Sequence, residues 1–415
     1  MTRIILGIYE IIWTGIIPVL AFVPRIKNGW KERLILREKG PFDIWIHGAS
    51  VGEVNMAADI VSDLKGFRVL ITTNTPQGKE ILKNKLINTK IYIRYLPFDM
   101  PYVMEKAIII WKPKIVVLLE TELWPALIYS CKKGSVPIIV LNGRLSKKSF
   151  KNYFRFKSFW SKFSPDEIYA ISRKDADRYI RLFGEKKVRL MNNMKFDRIN
   201  INKNFKYNKF LKLIPKHYPF IVLGSIRKEE EMDILFVIQT ILSVIPEINI
   251  GLFPRHIDRV KWWKNRLNQK GIPYILRSRL NNMLSAGNVI IWDKFGELEK
   301  AYAIADTVFV GGSLRPCGGH NFLEPLSFGI VPFVGPFLDN FHWIGKEIFD
   351  MKLAIIVNNW KELAQGLIRN SLAPKDRKKI KKRFELFLKK NKGGKKQALD
   401  IILNYLYKGG NNDRK

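Results

Sequence analysis

The chain has 415 residues, of which 47% are hydrophobic and 26% are charged, a globular composition that excludes wholesale disorder. Lysine and arginine outnumber aspartate and glutamate by 72 to 37, and the net charge of +35 favours anionic partners. Two cysteines exclude a disulfide scaffold, and the five scattered histidines lack metal-binding spacing, so we predict no catalytic metal.

The first predicted element is an apolar run, residues 4–23, in which Glu10 is the only charged residue. A helix of this length can cross the hydrocarbon core of a bilayer. A signal peptide would need a basic start and a small-residue cleavage site, which this run lacks, and a buried core helix is the other alternative. We predict a membrane anchor over residues 1–24, spanning the bilayer or lying in its surface. Basic residues between positions 25 and 39 favour a cytoplasmic main body.

Beyond the anchor, short apolar segments alternate with helical patterns in two successive stretches, which predicts two α/β domains with parallel sheets. The predicted strands are 43–47, 67–72, 91–96, 114–119, 137–141 and 167–171, then 219–223, 248–253, 288–292, 307–310 and 330–334. A segment rich in asparagine and lysine separates the two series of strands. The predicted organisation is a first domain at 25–199, a linker at 200–216, a second domain at 217–396 and a C-terminal helix and tail at 397–415.

Chemically distinctive residues in the first domain follow predicted strands, where open α/β sheets bind ligands. Glu53 follows the first strand across a turn that contains Ser50 and Gly52. Its alternative role is that of a first-turn carboxylate favoured by the helix dipole. Residues 120–125, Glu-Thr-Glu-Leu-Trp-Pro, place two carboxylates after another apolar strand.

The second domain has comparable features at its predicted strand ends. A glycine-rich loop that includes Gly312 and Ser313 offers backbone N–H groups to a phosphate or a ribose. Asn321 and Glu324 lie one helical turn apart, and Arg255 follows another strand, where a guanidinium suits phosphate.

An ordered set of short motifs extends over both predicted domains. They are SVGE at 50–53, ETELWP at 120–125, N-x-RLS at 142–146, KFD at 195–197, PRH at 254–256, GEL at 296–298, GGS…GGHN-x-LEP at 311–325 and GP…NF at 335–341. With these motifs the chain resembles the family of 3-deoxy-D-manno-octulosonic acid (Kdo) transferases of lipopolysaccharide synthesis. Residues 225–231 depart from the family's Ser-Thr-His-x-Gly-Glu-Glu pattern.

This resemblance implies a GT-B fold, in which two Rossmann-like domains face a central cleft, and an inverting, metal-independent glycosyl transfer without a cofactor. The donor would be CMP-Kdo, bound by the second domain. The acceptor would be lipid IVA, the tetraacylated lipid A precursor, bound on the side of the first domain. The resemblance further implies that the enzyme is located at the cytoplasmic face of the inner membrane. It leaves open whether one, two or three Kdo residues are added.

The resemblance also implies residue roles, carried over to the matching positions. Glu53 would be the general base, and Glu120 and Lys195 would stabilise the transition state. The CMP-binding residues would be Pro254, Arg255, Phe295, Gly296, Glu297, Asn321, Phe322, Leu323 and Glu324. Further donor or acceptor contacts would come from Ser50, Gly52, Arg144, Ser146, Ser225, Gly312 and Ser313.

Two alternative functions are compatible with the same composition. A nucleic-acid-binding protein would explain the positive charge, but the sequence has no recognisable binding module with clustered aromatic and arginine residues. A GT-B enzyme that uses a UDP-sugar is disfavoured by the motifs at 50–53 and 120–125. The D-x-D sequence at 175–177 resembles a metal signature, but side chains two apart on a helix diverge. We therefore expect CMP-Kdo, lipid IVA and an anionic membrane surface as partners, and no nucleic acid.

Overall fold

The computed structural model describes residues 2–23, 26, 29–34, 39–86, 91–201, 210–215, 217–373 and 376–410. The chain divides into two compact units, one formed by Met1–Arg198 with Asn391–Lys415 and the other by Ile199–Lys390. The C-terminal helix, treated above as a separate segment, therefore belongs with the first unit. The second unit ends at Lys390 rather than at residue 396.

Within the described residues, the first unit is built on seven parallel strands in the order β3-β2-β1-β4-β5-β6-β7. Numbered along the chain, they are β1 (Ile44–His47), β2 (Val69–Thr73), β3 (Ile91–Tyr95), β4 (Ile115–Leu119), β5 (Ile138–Gly143), β6 (Glu167–Ala170) and β7 (Val188–Leu190). The helices are α1 (Thr2–Leu20), α2 (Trp30–Leu34), α3 (Val51–Val61), α4 (Pro76–Lys85), α5 (Pro101–Trp111), α6 (Pro125–Lys133), α7 (Lys147–Arg155), α8 (Lys157–Trp160), α9 (Arg173–Phe183) and, at the end of the chain, α18 (Gly394–Gly410). Short 3₁₀ helices lie at Ser161–Phe163, Glu185–Lys187 and Met194–Phe196.

The described part of the second unit also contains seven parallel strands, in the order β10-β11-β9-β8-β12-β13-β14. They are β8 (Phe220–Ile226), β9 (Asn249–Pro254), β10 (Tyr274–Leu276), β11 (Val289–Ile291), β12 (Thr307–Val310), β13 (Phe333–Val334) and β14 (Ile355–Ile356). The helices are α10 (Phe210–Leu213), α11 (Glu231–Val244), α12 (Val260–Gln269), α13 (Leu298–Tyr302), α14 (Leu323–Leu326), α15 (Glu347–Asp350), α16 (Trp360–Leu372) and α17 (Arg377–Asn391). Short 3₁₀ helices lie at Lys228–Glu230, Ile257–Arg259, Arg277–Arg279 and Asp339–Ile344.

The apolar strands are buried on both faces, as expected for parallel sheets covered by helices. Side chains alternate between the faces of a strand, so Trp45 joins one hydrophobic cluster while its neighbours Ile44 and Ile46 join the other. The prediction of two α/β domains with parallel sheets is confirmed. Because parallel strands end at the same edge, the residues that follow β1, β4 and β5 lie near one another.

The N-terminal helix α1 packs along one side only. Leu6 is buried in a core cluster, the Tyr9 hydroxyl donates to Asp99 Oδ2 at 2.8 Å, and the ring of Trp13 lies 5.8 Å from that of Phe98. The apolar side chains that point away are exposed, namely Ile4, Ile8, Ile11, Ile12, Ile16 and Val19, and Phe22 in the following turn is exposed as well. Across the described residues, no helix is both long enough and apolar enough to span a membrane, so a spanning anchor is not confirmed.

Part of the predicted linker lies outside the described residues, at 202–209 and 216. The described part contains the short helix α10, which is packed rather than exposed. The ring of Phe210, fully buried, lies 5.2 Å from that of Trp292, and the guanidinium of Arg277 lies 4.8 Å from the Phe210 ring. This end of the linker is thus anchored in the second unit.

Candidate functional site

Glu53 lies in the first turn of α3, just beyond the carboxyl end of β1. Ser50 is the N-cap residue, and its hydroxyl accepts from the Glu53 backbone N–H at 3.3 Å. In return, the Glu53 carboxylate accepts from the Ser50 hydroxyl at 2.7 Å and from the Ala49 backbone N–H at 2.7 Å. This reciprocal capping box stabilises the start of the helix, so Glu53 does have the helix-capping role considered as its alternative.

The surroundings of Glu53 also change its acidity. The residue is 6% exposed, and burial raises its pKa above the ordinary value for a glutamate. The charge of Glu120 raises it further, while the hydrogen bond from Ser50 acts in the opposite direction. A carboxylate with a raised pKa takes up a proton more readily, which suits a general base.

Glu120 comes directly after β4 and is paired with Lys195. The backbone of Glu120 has a φ of 58°, a left-handed conformation that is uncommon for a residue with a side chain. Its Oε1 atom lies 2.5 Å from Lys195 Nζ. Strained backbone of this kind is often found at functional sites, where the rest of the fold maintains it.

Lys195 reaches Glu120 because its own short 3₁₀ helix is tied to the sheet. The buried Asn142, at the end of β5, accepts from the Met194 backbone N–H at 2.9 Å. Asp197 then accepts from the backbone N–H groups of Gly393 and Lys395, each at 2.7 Å. The Lys-Phe-Asp motif is therefore held by β5 on one side and by the start of α18 on the other.

Two residues at this edge were not assigned a role from the sequence, although Glu122 belongs to a quoted motif. Burial, followed by the charge of Glu53, raises the pKa of Glu122 to about 7. Its Oε2 atom lies 3.9 Å from Nε2 of His47, the last residue of β1. His47 is fully buried, and that burial lowers its pKa to about 3, so the imidazole is neutral. The sequence signal that could have identified His47 as a site residue is its position at the end of an apolar strand.

The other residues predicted to make contacts in this unit lie at the same edge. Gly52 is half-buried in the first turn of α3. Arg144 is half-buried, and its backbone carbonyl accepts from the hydroxyls of Thr121 and Tyr179. Ser146 is exposed and caps α7, since its hydroxyl accepts from a backbone N–H at 3.0 Å. The structure thus brings the predicted first-unit residues to one edge of the sheet.

In the second unit, the glycine-rich loop is held by a buried carboxylate that the sequence analysis missed. Glu230 is fully buried, and it accepts from the backbone N–H groups of Gly312 at 2.5 Å and of Leu314 at 3.3 Å. Ser313 is also fully buried, with its hydroxyl donating to Val310 and accepting from a backbone N–H. The Ser313 hydroxyl therefore serves the loop itself, and a donor or acceptor contact by Ser313 stays a prediction.

Cationic side chains gather beside this loop. Burial lowers the pKa of His320 to about 4, and the nearby charges of Arg255, Arg227 and His256 act in the same direction. Arg255 is exposed at the end of β9, where its backbone N–H donates to a β8 carbonyl at 2.8 Å. Ser225, with a φ of 58°, lies at the carboxyl end of β8. The arrangement provides positive charge suited to a phosphate group.

Asn321 and Glu324 face each other as their spacing predicted. The amide of Asn321 donates to Glu324 Oε1 at 2.9 Å. Phe322 and Leu323 between them are each 1% exposed and pack in the core. The prediction that these two residues contact CMP can therefore hold only for their backbone atoms, because their side chains are unavailable to a ligand.

The remaining predicted donor residues lie after β9 and β11. Pro254 is half-buried, Phe295 is 75% exposed, and Gly296 has a φ of 79° that a glycine adopts without strain. The carboxylate of Glu297 accepts from the indole of Trp292 at 3.0 Å and lies 2.9 Å from Nε of a buried arginine. The Glu297 side chain is therefore already engaged, whereas the Phe295 ring is open to solvent.

The described residues contain no group of three or more histidine, cysteine or acidic side chains that could hold a metal ion. Asp175 of the D-x-D sequence is instead structural, since it accepts from the Leu145 backbone N–H at 2.9 Å. Its partner in that sequence, Asp177, is exposed on α9.

Comparison with known proteins assigns the chain to a family. A family model described as 3-deoxy-D-manno-octulosonic-acid transferase (kdotransferase) matches residues 28–198. A 3-deoxy-D-manno-octulosonic acid transferase of Haemophilus influenzae is 31% identical over 378 residues, which cover 88% of this chain and 88% of that protein. The chain belongs to the Kdo transferase family. The resemblance stated from the motifs is confirmed.

Two further comparisons define the extent of the similarity. A bifunctional glycosyltransferase/methyltransferase of Fusobacterium nucleatum is 35% identical over 340 residues, but this Kdo transferase family member spans only 52% of that relative's length. The crystal structure of a glycosyltransferase from Rickettsia africae matches with a TM-score of 0.60 at 14% identity, over 88% of this chain and 99% of that one. At this level of identity the latter comparison concerns the fold alone. It supports two α/β units of the kind found in GT-B glycosyltransferases.

Proposed function

We propose that this Kdo transferase family member moves Kdo from CMP-Kdo onto lipid IVA, with inversion at the anomeric carbon and without a metal. The observation that carries this proposal is the buried Glu53 beside the Glu120–Lys195 ion pair, at the carboxyl edge of the first sheet. Both the family membership and the chemistry of this edge support a glycosyl transfer that begins with removal of a hydroxyl proton.

In the proposed reaction, the Glu53 carboxylate takes the proton from the acceptor hydroxyl as its oxygen attacks the anomeric carbon of Kdo. The new bond joins that oxygen to the anomeric carbon, and the bond from this carbon to the phosphate oxygen of CMP breaks. CMP leaves with the bonding electrons. Lys195, held at 2.5 Å from Glu120, supplies a fixed positive charge near the base.

Negative charge develops on the phosphate of the departing CMP, and the second unit offers groups that stabilise it. Arg255 and Arg227 lie near the loop that contains Gly312, and their charges act on His320 in that loop. Cationic side chains can perform the stabilisation that a bound metal performs in other enzymes. We therefore infer that the transfer needs no metal ion.

We also propose that α1 lies in the surface of the inner membrane, facing the cytoplasm, with its exposed apolar residues in the lipid. Ile11 is 73% exposed and Val19 66% on a helix whose other side is packed, and Phe22, in the turn just after it, is 85% exposed. Ile109 of helix α5 is also 66% exposed. The net charge of +35 would add attraction to anionic lipids and to the phosphorylated acceptor.

The donor preference tests the proposed function most simply. Purified protein is incubated with lipid IVA in anionic vesicles and with either CMP-Kdo or a UDP-sugar, and nucleotide release is measured. We expect CMP release that depends on the acceptor, and no UDP release. Acceptor-dependent release of UDP would instead identify a GT-B enzyme of different donor class.

A further inference from the structure

The tautomer of His47 is fixed by its surroundings. Its Nδ1 atom lies 3.1 Å from the Thr72 carbonyl oxygen, which can only accept a hydrogen bond, and 3.0 Å from the Thr72 hydroxyl oxygen, which accepts from the Trp45 indole and can accept from Nδ1 as well. Nδ1 therefore carries the hydrogen of the neutral imidazole, and Nε2 is left as an acceptor. Nε2 is buried and has no hydrogen-bond partner in the described part of the chain.

A second buried polar atom faces the same position. Nε1 of Trp124 also lacks a hydrogen-bond partner among the residues that the structure describes. The rings of Trp124 and His47 lie 6.1 Å apart in an edge-to-face arrangement. The carboxyl group of Glu122 is close to both, since its Oε2 is 3.9 Å from His47 Nε2 and the Trp124 indole lowers its pKa, against the larger effect of burial.

One protonation state of Glu122 satisfies both of these buried atoms. A carboxylic acid has an O–H donor and a carbonyl acceptor, so its polarity matches the acceptor His47 Nε2, 3.9 Å away, and the donor Trp124 Nε1 together. A carboxylate can only accept, which would leave the lone pair of His47 Nε2 facing a negative charge. Leaving a buried polar group unsatisfied costs about 1–3 kcal/mol, so the acid form is favoured.

The charges around Glu122 favour the same form. Glu53 of α3 and Glu120 after β4 both face it, and each raises its pKa after the larger effect of burial. Lys195 is already paired with Glu120. Tyr153 of α7 faces Glu122 as well, and burial together with the Glu122 charge raises the pKa of that phenol. Three adjacent carboxylates with one nearby lysine would carry excess negative charge if all were ionised.

We propose that Glu122 acts in its protonated form as a positioning residue for Glu53: its neutral carboxyl group lies against the lone pair of His47 Nε2, 3.9 Å away, and its neutrality leaves the free negative charge of this edge on Glu53. This inference rests on the proposed function, in which Glu53 is the base. Ionisation of Glu122 would place a negative charge against the lone pair of His47 Nε2 and beside the Glu53 carboxylate, so it would disturb the arrangement of charge in the site.

The test compares a substitution that keeps the neutral group with one that removes it. In Glu122→Gln, the amide donates to His47 and its oxygen can accept from Trp124, so we expect kcat within about threefold of the wild-type value near pH 6.5. The wild-type rate should fall as the pH rises through about 7, whereas this alkaline decline should be absent in Glu122→Gln. Glu122→Ala should lose at least about tenfold in kcat at every pH, since it removes the polar group that lies against both buried atoms.

The control is Glu80→Gln, a surface substitution in α4, which should leave the pH profile unchanged. Two results would overturn the proposal. One is a Glu122→Gln enzyme as inactive as Glu122→Ala at all pH values, which would mean that the charged form is required. The other is an alkaline decline that persists in Glu122→Gln, which would mean that another group titrates there.

An infrared measurement separates this proposal from the proposed function. At pH 6 the wild-type protein should have a carboxylic-acid C=O band that is missing in Glu122→Gln, with no substrate present. Absence of such a difference band would refute a protonated Glu122, whether or not the protein transfers Kdo. If the band is present but no Kdo transfer is detected under any condition, the proposed function fails, and the inferred assistance to Glu53 fails with it.

Discussion

At the scale of single residues, the same side chains of the first unit stabilise the local structure and are proposed to act in the reaction. Glu53 closes a capping box with Ser50 and is also a buried carboxylate at the carboxyl edge of the sheet. Glu120 pairs with Lys195 and has a left-handed backbone. Substitutions here must therefore be designed to change acidity without removing the hydrogen bonds that shape the turn.

Glu53→Gln meets that requirement, because the amide oxygen can still accept the backbone N–H bonds of the turn but cannot take a proton. We expect turnover to fall by about 10²–10⁴, as for loss of a general base, with little change in the melting temperature. Glu185→Gln, a surface carboxylate, serves as the control and should retain activity. The role of Glu53 as base would be refuted if the variant kept more than about a tenth of the wild-type kcat.

The wild-type pH profile gives a second test of Glu53. A base must be ionised, so activity should decline as the pH falls through its pKa. Burial and Glu120 raise that pKa, so the acid limb of kcat/KM should lie above the ordinary glutamate value of about 4.3. An acid limb at or below that value would contradict a buried, charge-coupled base.

Glu324→Ala examines the donor side. Glu324 Oε1 already accepts from Asn321, and a carboxylate suits the two hydroxyl donors of a ribose. We expect CMP binding to weaken by about 1.5–3 kcal/mol, which is at least about tenfold in affinity, as measured by calorimetry. The surface substitution Glu247→Ala is the control. Unchanged CMP affinity with a lowered melting temperature would instead assign Glu324 to the start of α14.

At the scale of elements, much of the fold could be predicted from the sequence because apolar strands and helical periods alternate clearly. Strands that were not predicted are β7, β10 and β14, each of two or three residues at a sheet edge, too short to produce a recognisable period. The site was predicted where motifs follow strands, as for Glu53 and Arg255. Glu230 could not be predicted, because its hydrogen bonds to a loop 82 residues away depend on the tertiary fold.

At the same scale, we predict that the exposed face of helix α1 contributes to membrane binding. Replacing Ile8, Ile11 and Val19 together by Asn removes exposed apolar surface without touching the packed side of the helix. Each apolar side chain that enters lipid contributes about 1.5–3 kcal/mol, so we expect vesicle binding to weaken by more than about tenfold.

The matched control replaces the exposed residues Val244, Leu372 and Leu386 of the second unit by Asn. Sedimentation with anionic vesicles measures both proteins. Equal binding by the two variants would show that α1 does not contact the membrane, and a loss in both would point to a general effect of added polarity.

At the scale of the whole molecule, the family, the net charge of +35 and the cationic groups of the second unit support one account. Positive charge would attract an anionic lipid surface, an anionic acceptor and a nucleotide donor. In this account, arginine and lysine side chains take the place that a metal ion has in other glycosyl transfers.

The rate of Kdo transfer in the presence of EDTA tests whether the reaction is independent of a metal ion. We expect turnover with CMP-Kdo and lipid IVA to stay within about twofold of the untreated rate, because cationic side chains stabilise the leaving phosphate. Loss of activity in EDTA that Mg²⁺ restores would contradict metal independence, and Asp175 and Asp177 would then be the first residues to substitute.

The central claim is that this protein attaches Kdo to lipid IVA, and the mass of the lipid product tests it most directly. Purified protein, CMP-Kdo and lipid IVA in anionic vesicles are incubated, and the lipid is analysed by mass spectrometry beside a parallel reaction with Glu53→Gln. The account predicts lipid IVA heavier by one or more whole Kdo residues with the wild-type protein, and almost none with the variant. Unmodified lipid IVA with a folded, CMP-binding wild-type protein would contradict it.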